Sequence, residues 1–170
     1  TDIFGQLERI MKRDHSTPPL IQLKIVVWIP VVLWMGVIFF LSHQPVEVSD
    51  QLSRGIAEII IEQVERIAPE QSMNLIFWNR LVRKNAHFLA YFVLGIFTLG
   101  ALRRHGMRGF SPAFLAFLIC GLYAVSDEVH QIFVAGRGAQ LTDVMIDCGG
   151  AAAGIGFCQV VARGMSLVRN

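Results

Sequence analysis

The sequence predicts an all-α, polytopic membrane bundle of four transmembrane helices with an amphipathic helix on its outer surface. Three observations carry this. Hydrophobic residues make up 54% of the chain and charged residues only 16%, where a soluble domain carries about a quarter charged. Four apolar runs approach the roughly 20 residues that cross a bilayer. Lysine and arginine gather in alternate connections, the asymmetry that orients membrane proteins. At 170 residues, one domain is the expectation.

The first run, LKIVVWIPVVLWMGVIFFLS, covers 23–42 and holds a tolerable Pro30. The second, AHFLAYFVLGIFTLGAL, covers 86–102. The third covers 112–130 and must reach past Asp127 to attain full length. The fourth, VMIDCGGAAAGIGFCQVVA, covers 144–162. Residues 1–22, with Pro18 and Pro19, read as a polar cytoplasmic lead-in, and 163–170 as a cytoplasmic tail. Thr1 in place of Met predicts a trimmed start. The long first run has no small-residue cleavage site after it, which argues against a removed signal peptide.

Basic residues set the orientation. Arg9, Lys12, Arg13 and Lys24 precede the first span, Arg103, Arg104 and Arg108 join the second to the third, and Arg163 and Arg169 follow the fourth. The connection between the first two spans instead carries Glu47, Asp50, Glu58, Glu62, Glu65 and Glu70 against five basic residues, and the loop between the third and fourth has Arg137 among several acids. Both termini are therefore expected in the cytoplasm, with the acidic connections outside. Within 53–70, Ile56, Ile60, Val64 and Ile67 recur at helical spacing with glutamates off that line. That is an amphipathic helix, a packing element or a lid.

The net charge of +2 excludes an electrostatic nucleic-acid binder. Cys120, Cys148 and Cys158 lie inside apolar runs without C-x-x-C spacing and read as buried thiols.

The ionisable residues of the spans collect at one end. Ser42 and His43 close the first span; Lys84 and His87 open the second. Asp127, Glu128, His130 and Gln131 end the third, and Asp143 and Asp147 begin the fourth. Lys84, His87 and Tyr91 share one helical face. Asp143, Asp147, Gly150 and Gly154 share another, which continues inward as a small-residue strip suited to close helix approach. Charges near hydrocarbon cost roughly 3 kcal/mol unless paired or hydrated, so these faces point into the bundle. Arg137 reaches the pocket only by folding back, and glycines at 136 and 138 free the backbone to do so. A plain structural reading stands beside this: Lys84 and Arg137 neutralise the acids and lock the helices. Buried ion networks are a poor source of net stability. Tyr91 reads equally as an interfacial anchor.

Taken together, FLSHQP (40–45), KNAHFLAYFVLG (84–95), SDEVHQIFVAGR (126–137) and LTDVMIDCGGAAAG (141–154) resemble the VanZ-like family of small bacterial membrane proteins. The likeness spans about 25–162. Ala135 stands where that pattern frequently has proline, and Asp147 where it usually has asparagine. The family takes its name from a member linked to teicoplanin resistance, so the resemblance implies work at the cell envelope, in the bacterial cytoplasmic membrane. It brings no defined reaction.

The leading expectation is an enzyme at the outer membrane–water interface, acting on a phospholipid or lipid-linked envelope intermediate by acid/base-assisted group transfer or hydrolysis. His87 or His130 would move protons, Asp127 and Glu128 would divide acid and base duties, and Asp143 would orient a basic partner. Lys84 and Arg137 would hold an oxyanion, with Gln131, Tyr91, Ser42 and His43 completing the binding set. No G-x-S-x-G nucleophile motif exists. The alternative is a binding or shielding protein that captures a lipid head group or glycopeptide without turnover. A metal site drawn from His43, His87, His130, Asp127, Glu128 and Asp143 is disfavoured, because H-E-x-x-H is absent and Lys84 and Arg137 oppose a cation. No metal or cofactor is therefore expected. A proton-coupled transporter is disfavoured too, since the cytoplasmic half carries almost no polar residue.

Overall fold

The structure, a computed structural model, describes residues 25–67 and 74–168. The expected lead-in over 1–22 lies outside them, as do 68–70 of the amphipathic segment and 169–170 of the tail. Every regular element among the described residues is helical: α1 Ile29–Ser42, α2 Val46–Ile67, α3 Leu75–Arg104, α4 Ser111–Gln131 and α5 Leu141–Val168.

Three helices, α3, α4 and α5, are long and apolar enough to cross a bilayer by themselves. The first span differs from expectation. Its helix α1 has 14 residues, about 21 Å at the helical rise, and falls short of a roughly 30 Å hydrocarbon core. Pro30 sits in its first turn, where a missing N–H costs nothing. The fourth span is reached only when α1 and the first part of α2 are taken as one pair, bent by 100°. His43, Gln44 and Pro45 make that bend.

The other boundaries moved outward. α3 starts eleven residues before the expected 86, because Asn74 caps it: its side chain accepts from Ile76 N at 3.0 Å and Phe77 N at 3.4 Å. That extension places Arg80, Arg83 and Lys84 on a helix. α5 begins at Leu141 and runs on to Val168, so 163–168 continue the helix past the expected end of the span. α2 begins at Val46, earlier than 53. Its inner line is Ser53 and Ala57, both buried, followed by the half-buried Ile60 and Val64. Ile56, expected on that line, is 46% exposed.

The bundle is held closest between α3 and α5, and small residues are the reason. A side chain at Gly150 would collide with the Phe88 carbonyl, and one at Gly154 with that of Phe92. From the opposite helix, a Cβ at Gly95 would lie 2.6 Å from the Ala151 carbonyl oxygen. The expected small-residue strip is therefore the contact that sets the α3–α5 spacing. Leu94, Cys120, Ala124 and Ala151 fill the core beside it, with Val31 and Ile38 of α1. A second cluster of Leu99, Leu102, Ala116 and Ile155 lies toward the other end. All three cysteines are free thiols; Cys120 is buried as expected, whereas Cys148 and Cys158 are only half-buried. Val32, Leu33, Phe40 and Leu122 remain exposed on the outside, as befits a lipid-facing surface.

Candidate functional site

α1 and α4 end, and α5 begins, at the same end of the bundle, and α3 passes alongside. Helical spacing turns Asp127, Glu128 and Gln131 of α4 inward, where all three are buried. Asp147 comes in from α5 and is 1% exposed. His87 faces it from α3, its Nδ1 3.6 Å from Asp147 Oδ1, just outside hydrogen-bond reach. Ser42, at the end of α1, donates to Asp127 Oδ2 at 2.7 Å. One ligand-type atom from each of His87, Asp127 and Asp147 lies within 4.8 Å of the others. Asp127 Oδ1 and Asp147 Oδ1 are buried without a hydrogen-bond partner.

Above this group opens a polar cavity of about 370 Å³, lined by Arg80, Arg83, Lys84, His87, Gln131, Arg137, Gln140 and Asp143. Lys84 Nζ stands 3.8 Å from Asp143 Oδ1, so that cation has a partner. Arg137 does fold back, as its role required. Gly136 takes φ 74°, a conformation that suits glycine, and packs directly on the Val46 side chain. Arg137 is half-buried with its Nε unpartnered. Burial lowers its proton affinity below the usual arginine value, and neighbouring Arg83 lowers it further, against the charges of Asp127, Glu128 and Asp143. Two guanidinium groups thus crowd one cavity wall.

A smaller apolar groove of about 160 Å³ adjoins it between α1, α2 and α3. Ile38, Leu41, Val48, Leu52, Ile56 and Ala90 line the groove, and Arg83, His87 and Arg137 line both spaces.

Of the expected catalytic residues, His87 and Asp143 line the polar cavity, and Asp127 lies in the group with His87. Glu128 is committed elsewhere: its Oε1 accepts the Gln140 N–H at 2.6 Å and ties α4 to the loop before α5. His130 stays out of the cavity. It projects to the rim, where its Nε2 sits 3.1 Å from His43 Nδ1 and Phe39 packs on its ring at 4.4 Å. The cause is angular, since the α4 face that buries Asp127, Glu128 and Gln131 leaves Val129 and His130 pointing away. Of the expected binding residues, Lys84, Arg137 and Gln131 line the cavity, Ser42 lines the groove, and His43 lines neither. Tyr91 is fully buried one turn beneath His87, its ring 6.1 Å from that of Tyr123; it is neither an interfacial anchor nor a cavity contact.

Sequence reasoning missed Arg80 and Arg83, and placed Asp147 on the inward face without giving it a role in the site. A signal existed. Arg80, Arg83, Lys84 and His87 fall at i, i+3, i+4 and i+7, one helical face, but a span drawn from 86 leaves the arginines in a loop.

A bundle of apolar helices with a cationic cavity at one end defines the class, a multi-pass membrane protein. The VanZ/LLP1 family model matches residues 27–162, and the chain belongs to that family. Comparison with curated proteins and with solved structures finds no match.

Proposed function

We propose that this protein acts on a phosphate-bearing amphiphile, a phospholipid or lipid-linked envelope intermediate, at the outer face of the bacterial cytoplasmic membrane with both termini inside. One observation carries the reading: a cationic cavity and an apolar groove adjoin and share Arg83, His87 and Arg137. Such a pair suits a molecule whose anionic head and hydrocarbon chain must be held together. Arg83 and Arg137 present forked donors that match phosphate oxygens, and Lys84 adds a point charge already shared with Asp143. The head group then rests over His87, Asp127 and Asp147, where acid/base-assisted transfer or hydrolysis takes place, with Asp143 at the wall. α2 closes the groove side, a role in keeping with a lid.

Capture without turnover is the second reading, and one observation favours it. No serine, threonine or cysteine is among the residues lining the polar cavity, so no hydroxyl or thiol nucleophile faces it. Purified protein in nanodiscs of phosphatidylglycerol or of an undecaprenyl phosphate separates the two. Turnover predicts new lipid products by mass spectrometry, lost in Asp143→Asn. Capture predicts lipid binding with no product. Equal affinity for neutral and phosphate-bearing lipids would refute both.

A further inference from the structure

Asp127 and Asp147 meet in the interior from two different helices, each almost fully buried. Two carboxylates so placed repel one another strongly when solvent is excluded. Their neighbours offset this only in part, Arg137 acting on Asp127 through space and His87 standing beside Asp147. Lys84 is engaged with Asp143. Among the described residues no lysine or arginine nitrogen lies within 4.0 Å of either Asp127 or Asp147. Ser42 satisfies one oxygen of Asp127, and the Oδ1 atoms of both aspartates are left buried and unpartnered. Buried acceptors with no donor are rare in folded proteins and mark a missing partner. The third member is His87, whose imidazole offers nitrogen to the same point within 4.8 Å.

We propose that His87, Asp127 and Asp147 form a binding site for one divalent transition-metal ion, of the zinc or manganese type. The donor set is one nitrogen and two carboxylate oxygens from three helices, which suits borderline ions and leaves open positions. A 2+ ion cancels the two carboxylate charges and gives both orphaned oxygens a partner. Ligand–metal distances near 2.0–2.2 Å require the three side chains to close in by small rotations, which their inward-facing positions allow. The expected obstacle, cations beside the site, is relieved by geometry: Lys84 is held by Asp143, and the arginines line the cavity above. His87 and Asp127 then hold the ion and do not shuttle protons, and proton transfer passes to Asp143 on the cavity wall. An open coordination position facing that cavity would take a water molecule or an anionic oxygen.

The site is independent of the lipid reading, so metal binding is measured on protein without phosphate lipid. Full-length protein in dodecyl maltoside is stripped with chelator and titrated with Zn²⁺ alone, with bound metal read by plasma mass spectrometry. The expected result is about one equivalent per chain and a higher midpoint of thermal unfolding. Asp127→Asn and Asp147→Asn should each lower the affinity at least tenfold, while Glu58→Gln, which removes an exposed acid of α2, should keep the stoichiometry. Stripped wild-type protein that stays folded but takes up neither Zn²⁺ nor Mn²⁺ at 100-fold excess overturns the proposal, whatever the variants do. Uptake unchanged in both asparagine variants overturns it as well. Lipid binding that persists without metal uptake would sink the metal site and leave the lipid reading standing.

Discussion

Replacing Gly95 by alanine tests the packing that positions the site. Its new Cβ would lie 2.6 Å from the Ala151 carbonyl oxygen, where ordinary contact begins at 3.4 Å. The obstacle is backbone, so no side chain can swing aside, and α3 and α5 must part by about 0.8 Å. Overpacking of this kind costs roughly 1–3 kcal/mol. The same separation acts two turns away, where His87 and Asp147 already stand 3.6 Å apart across this interface. Gly100 supplies the control. It lies on the same helix with nothing within 4 Å of a Cβ, so Gly100→Ala should be neutral or stabilising by up to about 1 kcal/mol, the helix-propensity difference. Equilibrium unfolding in mixed dodecyl maltoside–SDS micelles reads both variants. If Gly95→Ala proved as benign as Gly100→Ala, the close approach of α3 and α5 would be wrong, and with it the argument that the small-residue strip sets the site's dimensions.

Ser42→Ala removes the donor to Asp127 Oδ2 and should cost about 1–3 kcal/mol by leaving a buried acceptor unmade, measured in the same micelle titration. Asn74→Ala should cost about 1 kcal/mol through loss of the α3 cap, with the loss of helicity confined to the segment before Lys84 in hydrogen exchange. The double change Arg83→Ala, Arg137→Ala should weaken binding of a phosphate-bearing lipid at least tenfold without lowering the unfolding midpoint; unaltered affinity would discard the anion site. In a cysteine-free background, an impermeant thiol reagent added outside should label a cysteine placed at Glu58 and spare one at Arg104. The reverse pattern would invert the proposed orientation.

The fold was largely legible because a bilayer constrains composition so strongly. Helix α4 begins and ends within a residue of the third expected run, since Pro112 marks its start and the apolar run its length. The second was cut short because hydropathy fades at Arg83 and Lys84. A helix emerging from hydrocarbon keeps its hydrogen bonds while its side chains turn polar, and only the Asn74 cap marks where α3 begins. The same blurring hid Arg80 and Arg83 from the site. Depth was readable for His130 and His43, which do lie at the polar end, but rotation was not. Spacing of three from Asp127 left open which side of the face His130 would take, and packing against Phe39 and His43 decides it. Asp147 could be placed on the right face from its spacing with Asp143. Its convergence with Asp127 depends on the distance between α4 and α5, which no single-helix pattern contains.

The contact between Gly136 and Val46 ties together two parts of the chain that are remote in sequence. Val46 is the first residue of α2, and its N–H donates to the Ala135 carbonyl at 3.4 Å, one residue from Gly136 and two from Arg137. The wall of the apolar groove and the backbone that carries the guanidinium are thus latched to each other. On the proposed lipid reading, a hydrocarbon chain that pushed α2 outward would drag on Arg137, and an anion that drew Arg137 inward would pull on the start of α2. Head and tail of such a ligand would then be sensed through one joint. A molecule offering only a phosphate, or only a chain, engages half of that joint and should be discriminated against by more than the contacts it lacks.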